Sequence, residues 1–389
     1  MKIFHISDLH IGKRLHLFDL SQVQRDVFNQ IIEAAKRERP DVIVIAGDVY
    51  DKSSPSGEAT KLLNEFFNEL ADIELQIPVL VISGNHDNNL RLNYASSFLE
   101  KHNIYISAVL PQNEEEYLKK ITFYDEYGEV HFYMMPFVKP EDAKNLLGKE
   151  SDIHTYDEAF AAILNRELID YSKRNVLIAH QFFVSNGNEP DKRDSEMRYI
   201  SVGGIDSVDT CHIEQFDYVA LGHLHTSQHI GKPYIRYSGT PLKYSVSESK
   251  DKKSITVVTL KEKGSQPDIT FIPLYMNPDL KKLSGTLQEV IAMSNEYLKE
   301  DYVSITLTDE ESLFRPKDRL DDFYNKIIEV IIDNTKTKKF VYHDVDEKFS
   351  EEDNPLEIFC EFYQEMNGQP ISEDEKTILV EILKEVKEE

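Results

Sequence analysis

Four short fragments carry most of the chemistry open to this chain: Asp8-Leu9-His10, Gly47-Asp48, Gly84-Asn85-His86-Asp87 and Gly222-His223-Leu224-His225. Each sets Asp, Asn or His directly after a short apolar run, and His180 closes a fifth run in the same way. Asp8, His10, Asp48, Asn85, His180, His223 and His225 therefore offer oxygen and nitrogen donors from five separated segments. Such a set is large enough to hold two divalent cations side by side. Two cations about 3.5–4 Å apart clamp the attacking and leaving oxygens of a phosphate ester, so phosphoester hydrolysis is the expected chemistry. A shared carboxylate is the simplest bridge at that separation, and Asp48, after the central run Ile43–Ala46, is the expected one. Asp8 and His10 stand two apart at a strand end, where the pleat would point both side chains the same way. His223 and His225 share that spacing and can reach different metals across a turn. Mixed nitrogen and oxygen ligation suits Mn²⁺, Fe²⁺ or Zn²⁺ better than Mg²⁺, which prefers oxygen and keeps its waters.

His86 follows a candidate ligand and is expected to face the substrate. A histidine titrates near neutral pH, so it can protonate a leaving oxygen or stabilise the charge that builds there. Asp87 is expected to orient His86 through its other ring nitrogen. One Asp-x-His pair is a weak signal, because it recurs by chance. The weight lies in the joint occurrence, in this order, each piece at a strand end. His5, inside the first apolar run, reads instead as a hydrogen-bonded core residue.

The elements that must position these groups are legible as periodicities. Lys2–Ile6, Val42–Ala46 and Val79–Ile82 read as buried strands, rich in Val and Ile. Between them, Ser21–Arg39 and Gly57–Asp72 show helical spacing, as at Val27, Ile31 and Ala34 or Leu62, Phe66 and Leu70. This order implies an α/β fold with parallel strands and crossover helices, with ligands beyond the carboxyl ends of the strands. Ile121–Tyr124 and Glu129–Met134 read as a hairpin around Tyr127-Gly128, and Val176–Ala179 and Tyr218–Leu221 as two more buried strands. Ser254–Leu260 and Asp268–Pro273 are expected as antiparallel edge strands. Beyond about residue 275 the pattern changes, with a strand at Tyr302–Leu307 and a helix at Leu320–Ile332 on the spacing of Phe323, Ile327 and Ile331.

Composition sets bounds. The 389 residues allow two or three domains, and 40% hydrophobic with 10% aromatic residues supports a core. A formal charge of −26 implies weak non-specific affinity for nucleic acid unless metals or a basic partner intervene. Much of the acidity sits in the last stretch, Asp344 to Glu389, which holds 16 acidic and 4 basic residues, a local net of −12. That stretch also carries two apolar stripes, Leu356, Phe359, Cys360 and Tyr363, then Ile378, Leu379, Ile382, Leu383 and Val386, which a short helical pair cannot bury alone. Two cysteines form no disulfide framework, the first apolar run leaves no room for a signal peptide, and no stretch approaches a membrane-spanning length; a cytoplasmic protein is expected. No G-x-x-x-x-G-K-[ST] match occurs, so the chain is not expected to hydrolyse ATP itself.

The fragments resemble the calcineurin-like metallophosphoesterase superfamily and, within it, the bacterial SbcD family of nuclease subunits. The resemblance rests on Asp48-Val49-Tyr50-Asp51 with Ser54-Pro55-Ser56, on Tyr218 to His225, on Tyr237 to Ser245, and on Pro355 to Phe359 with Phe362-Tyr363. It implies a four-layered phosphoesterase domain over residues 1–275, a small α/β capping domain that contacts DNA over 276–343, and an acidic C-terminal helix-turn-helix hairpin over 344–389. The hairpin would dock on the coiled coil of an SbcC-like ABC-type ATPase. It further implies Mn²⁺-dependent 3′–5′ exonuclease action on duplex ends and endonuclease action on hairpins and single strands, gated by ATP on the partner. The setting it implies is DNA repair, recombination and replication by a homodimer within a heterotetramer, at the nucleoid. By resemblance, one metal takes Asp8, His10, Asp48 and His225, the other Asp48, Asn85, His180 and His223, and His86 is catalytic. Archaeal and eukaryotic relatives place a second histidine shortly after the bridging Asp, where this chain reads Val49-Tyr50-Asp51.

A stand-alone phosphoesterase acting on a small phosphodiester or a phosphoprotein would use the same clamp. A protein phosphatase of this superfamily is expected to carry Arg after the second fragment and Glu in place of Asp87, whereas this chain has Asp51-Lys52-Ser53 and Asp87. Lys13, Arg14, Lys52, Arg91 and Lys243 neighbour the fragments and are the candidates to meet DNA phosphates. Parts of Ser21–Arg39 and Asn89–Lys101 are, by resemblance, the candidate dimer surface.

Overall fold

The structure is a computed structural model that describes residues 1–334, apart from 75, 149–150, 186, 194–205, 312 and 314, together with residue 376. The hairpin expected over 344–389 lies outside the described residues, save Lys376. Among the described residues two compact units are present: Met1–Lys282 with Asn295–Ser304 and Tyr324–Ile328, and Leu283–Ser294 with Ile305–Phe323 and 329–334.

The first unit is built on two six-stranded sheets. In the first the strands run Asp268–Pro273, Ser254–Thr259, Lys2–Ile6, Val42–Ala46, Val79–Ile82 and Ile104–Ser107. The last four are parallel, and the first two are the antiparallel edge expected from sequence. The second sheet runs Gln228–Ile230, Lys232–Tyr237, Tyr218–Gly222, Arg174–His180, Gly128–Met135 and Lys119–Asp125.

Period-2 alternation assigns every face. In Val42–Ala46, Ile43 and Ile45 pack with Val27, Phe28 and Ile31 of the helix Ser21–Glu38 and with Leu62 and Phe66 of the helix Gly57–Ala71. Val42, Val44 and Ala46 point the other way, onto Val176, Ile178, Tyr218 and Ala220 of the second sheet. On the far face of that sheet, Leu177, Ala179, Val219 and Leu221 pack with Ala143 and Leu146 of Pro140–Leu147 and Phe160 and Ile163 of Tyr156–Leu164. The result is the four-layered α-β-β-α arrangement. Both faces of the central strands are covered, which explains why they read as unbroken apolar runs. His5 sits between the sheets, its Nδ1 2.8 Å from the Tyr218 hydroxyl and its Nε2 3.1 Å from the Leu221 carbonyl.

One expected element is corrected. The stretch expected as the helix Leu320–Ile332 contains a short helix, Pro316–Leu320, followed by a strand, Lys326–Ile332. Ile327, Ile328, Val330, Ile331 and Ile332 are β-branched, with side chains that a pleated surface accommodates better than a helix. The strand joins Tyr302–Leu307 and Leu280–Gly285 in a three-stranded sheet. Among the described residues, no helix is long and apolar enough to cross a membrane.

The two large sheets approach each other closely at the carboxyl ends of their central strands. A Cβ on Gly222 would stand 1.9 Å from the Ala46 carbonyl oxygen, so no other residue fits without moving the sheets apart. Gly222→Ala is therefore expected to destabilise the protein by about 1–3 kcal/mol. Gly57→Ala, whose Cβ meets nothing within 4 Å at a helix start, should leave stability unchanged or slightly raised. Urea midpoints of the two variants check this; equal midpoints would contradict the close approach.

Candidate metal centre

His180 is the last residue of its strand, on the face already occupied by Val176 and Ile178, and so it points at the first sheet. Its Nδ1–H donates to the Ala46 carbonyl at 2.8 Å. That leaves Nε2 3.1 Å from Asn85 Oδ1 and 3.4 Å from Asp48 Oδ2. Burial opposes a charge on His180, but the Asp48 carboxylate outweighs it and pushes the pKa up to about 9.

Asp8, His10 and Asp48 lie beyond the ends of their strands. The strand Lys2–Ile6 stops before Asp8, so the pleat does not align Asp8 with His10 as expected. Left-handed backbone does it instead, with φ of 53° at Asp8, 43° at His10 and 47° at Asp48, and 101° at His223. Side chains with a Cβ avoid that region, and such conformations gather where geometry is held for a function. The loops are fastened together by Asp8 N–H to the Gly47 carbonyl and His10 N–H to the Asp48 carbonyl, both 3.0 Å. The N–H of His223 donates to both oxygens of Asp8, at 3.0 and 3.1 Å, which ties the second sheet to the first.

All seven candidate ligands converge. Donor atoms of Asp8, His10 and His225 lie within 4.8 Å of one another, as do those of Asp8, Asp48 and His180, and of His10, Asp48 and His86. His10 Nε2 is 3.1 Å from His225 Nε2, and Asn85 Oδ1 is 2.9 Å from His223 Nδ1. Ligands sharing one cation at bond lengths near 2.0–2.2 Å are spaced about 3 Å apart, and these pairs match. Two imidazole nitrogens, Nε2 of His10 and Nε2 of His225, confront each other. Groups in that condition are the ones a cation would satisfy. Burial holds His10 well below the usual histidine range and His223 at about 3, so both keep their lone pairs free of protons. Burial also works against ionised Asp48, but His180 and then His86 hold its carboxyl well below the usual range. The nitrogen-and-oxygen donor set therefore fits divalent metal ions.

His86 sits at the rim, its ring edge-on to His10 with centroids 4.8 Å apart. Its backbone N–H donates to Asp48 Oδ1 at 2.8 Å, and its ring Nδ1 is 2.8 Å from the Asp51 carbonyl oxygen. The expected partnership with Asp87 is corrected. The Asp87 carboxylate accepts instead from the N–H groups of Val49, Tyr50 and Gly84, at 3.1, 2.9 and 2.9 Å. It splices the loop after Asp48 to the loop before Asn85. Burial, with Asp48 nearby, raises its pKa to about 6.

Of the five candidate phosphate contacts, Arg14, Lys52 and Arg91 are exposed. Lys13 is ion-paired with Asp51 Oδ1 at 2.7 Å. Lys243 is corrected: it is 9% exposed, and its ammonium is committed to Asp279 Oδ1 at 2.7 Å and the Ser249 carbonyl at 2.9 Å. Sequence reasoning missed Glu248, whose Oε1 is 3.2 Å from His225 Nδ1, and Gln24, whose amide donates to the His10 carbonyl at 2.8 Å and the Tyr244 hydroxyl at 3.0 Å. Neither stands next to a ligand in sequence, so no local pattern announces it.

Residues 1–227 match the family model described as calcineurin-like phosphoesterase, and residues 278–367 match one described as type 5 capsule protein repressor C-terminal domain. The chain is 34% identical over 382 residues to the SbcD component of the nuclease SbcCD from Staphylococcus epidermidis, covering 96% of this chain and 95% of that one. It is 32% identical to the protein of the same name from Staphylococcus saprophyticus, covering 100% and 99%. Among solved structures, a dimetal phosphatase from Danio rerio is similar at 12% identity and a TM-score of 0.38, over 71% of this chain and 99% of that one.

The His180–Asp48 pair makes a prediction for the metal-free protein. A histidine raised from 6.5 to about 9 on folding contributes stability that is complete below pH 6.5 and is lost as the pH rises through 9. Thermal unfolding in EDTA should show Tm falling across that interval, and His180→Asn should flatten the fall. An unchanged slope in the variant would contradict the pairing.

Proposed function

This chain belongs to the calcineurin-like phosphoesterases and, within them, to the SbcD family of SbcCD nuclease components, and from that premise we propose a Mn²⁺-dependent DNA nuclease that processes duplex ends and hairpins alongside an SbcC-type ATPase. It is a metal-dependent phosphodiester hydrolase. The observation that carries the proposal is the convergence of the seven donors, with Asp48 Oδ2 3.8 Å from His10 Nε2 on one side and 3.4 Å from His180 Nε2 on the other.

Bound there, two divalent cations would polarise a phosphodiester and acidify a water. Asp8, His10, Asp48 and His225 would hold one; Asp48, Asn85, His180 and His223 the other. Donors of Asp8 also lie close to those of Asp48 and His180, so Asp8 borders both sets. The remaining work falls to the chain's own groups. His86 Nδ1–H donates to the Asp51 carbonyl, which turns Nε2 toward the Asp48 side, where the doubly protonated ring can pass its Nε2 proton to a leaving oxygen. Exposed Arg14, Lys52 and Arg91 supply positive charge for the phosphates on either side. Nitrogen-rich ligation favours Mn²⁺ over Mg²⁺.

The finer reading follows the family: 3′–5′ exonuclease action on duplex ends, endonuclease action on hairpins, ATP-gated duplex processing, and a cytoplasmic site of action at the nucleoid. Residues 276–343 form the proposed DNA-contacting cap, and 344–389 the proposed acidic docking segment for the partner's coiled coil. A homodimer within a heterotetramer is proposed, and Leu90, Tyr94 and Phe98, exposed by 78%, 83% and 60%, give it an apolar surface at 89–101.

His86→Ala should retain both Mn²⁺ ions by isothermal titration calorimetry while kcat on labelled hairpin DNA falls about 10²–10⁴-fold. Loss of metal in that variant would recast His86 as a ligand. Turnover of a small phosphodiester with no cutting of DNA, even with the ATPase partner present, would overturn the substrate.

A further inference from the structure

Glu248 ends the single turn Val246–Glu248 and is 0% exposed. Its Oε1 is 3.2 Å from His225 Nδ1 and accepts from the Ser245 hydroxyl at 3.1 Å. Its Oε2 accepts from Lys253 Nζ at 2.6 Å and from the Thr240 hydroxyl at 3.2 Å. Lys253, 7% exposed, donates also to the carbonyl oxygen of His225 at 2.9 Å. The ring and the backbone of one candidate ligand are thus gripped by the two members of one buried ion pair.

Stability alone is a poor account of that pair. Desolvating two charges is costly, and well-packed apolar residues often serve the fold as well. An apolar pair cannot, however, choose the tautomer of an imidazole. With Nδ1–H donated to Glu248, the lone pair of His225 is on Nε2, the atom that lies 3.1 Å from His10 Nε2. The ligands of the other set are fixed by other means: His180 by the Ala46 carbonyl, and His223 through its backbone on Asp8.

We propose that Glu248, held by Lys253, is a positioning residue for His225 that sets the affinity of the cation at the Asp8–His10–His225 end of the centre independently of the other. The inference rests on the two-cation reading above. It locates control of one site in a residue that touches neither cation nor substrate.

The test is calorimetric titration of Mn²⁺ into the metal-stripped full-length chain, with Glu248→Gln and Glu248→Asp beside it. Glu248→Asp keeps a carboxylate opposite Lys253, so charge balance is preserved while the group is withdrawn from His225. Both variants should keep one site at its original affinity and weaken the other about 10–100-fold. Wild-type affinity at both sites in either folded variant would overturn the proposal. An equal loss at both sites, with a matching drop in Tm, would overturn it too, by showing a merely structural role. Failure of the unaltered chain to take up two Mn²⁺ ions would instead bring down the two-cation reading, and this inference with it.

Discussion

The hydrogen bond from His180 Nδ1 to the Ala46 carbonyl joins the last residues of two strands in opposite sheets, and the candidate centre depends on the approach it records. Apolar side chains between the sheets draw the layers together. Gly222 lets their ends close further than any residue with a Cβ would allow. Asp8, Asp48 and Asn85 follow strands of one sheet, while His180, His223 and His225 come from the other. Neither sheet could hold two cations alone.

Closing that gap places several titratable groups out of water at once. Their proton states then follow from position: His10 and His223 are kept neutral, Asp48 is kept ionised, and His180 is drawn toward its charged form by Asp48. Such a cluster, with the Nε2 atoms of His10 and His225 facing each other, is unsatisfied as it stands. Two divalent cations would supply the missing positive charge and use the lone pairs. Around them, the Asp87 carboxylate splices loops, and the Glu248–Lys253 pair secures His225. A chain with a formal charge of −26 thereby reserves a site where an anionic phosphodiester can be met by cations rather than by the protein's own acidic surface.

Much of this was legible in the sequence because buried parallel strands are short unbroken apolar runs, and ligand-type residues directly after them must sit at the sheet's carboxyl edge. That logic singled out seven residues that come together at the candidate centre, and it reached the first two helices and the antiparallel edge. It failed where two periodicities coincide: Phe323, Ile327 and Ile331 fit a helix, yet the β-branched run Lys326–Ile332 pairs as a strand. It failed again where backbone dihedrals decide, since Asp8 and His10 converge through left-handed conformations and not through a pleat. Partnerships between distant segments were also invisible. Asp87 beside His86 suggested a pair, but its hydrogen bonds run to Val49 and Tyr50, and Lys243 beside the Tyr237–Ser245 motif turns to Asp279.

The most direct test of the central claim is a crystal structure of the full-length chain grown with Mn²⁺, read at the anomalous signal of manganese. Two peaks are expected about 3.5–4 Å apart with Asp48 between them, His10 and His225 on one ion, and Asn85, His180 and His223 on the other. A single ion, or two ions that do not share Asp48, would contradict the claim.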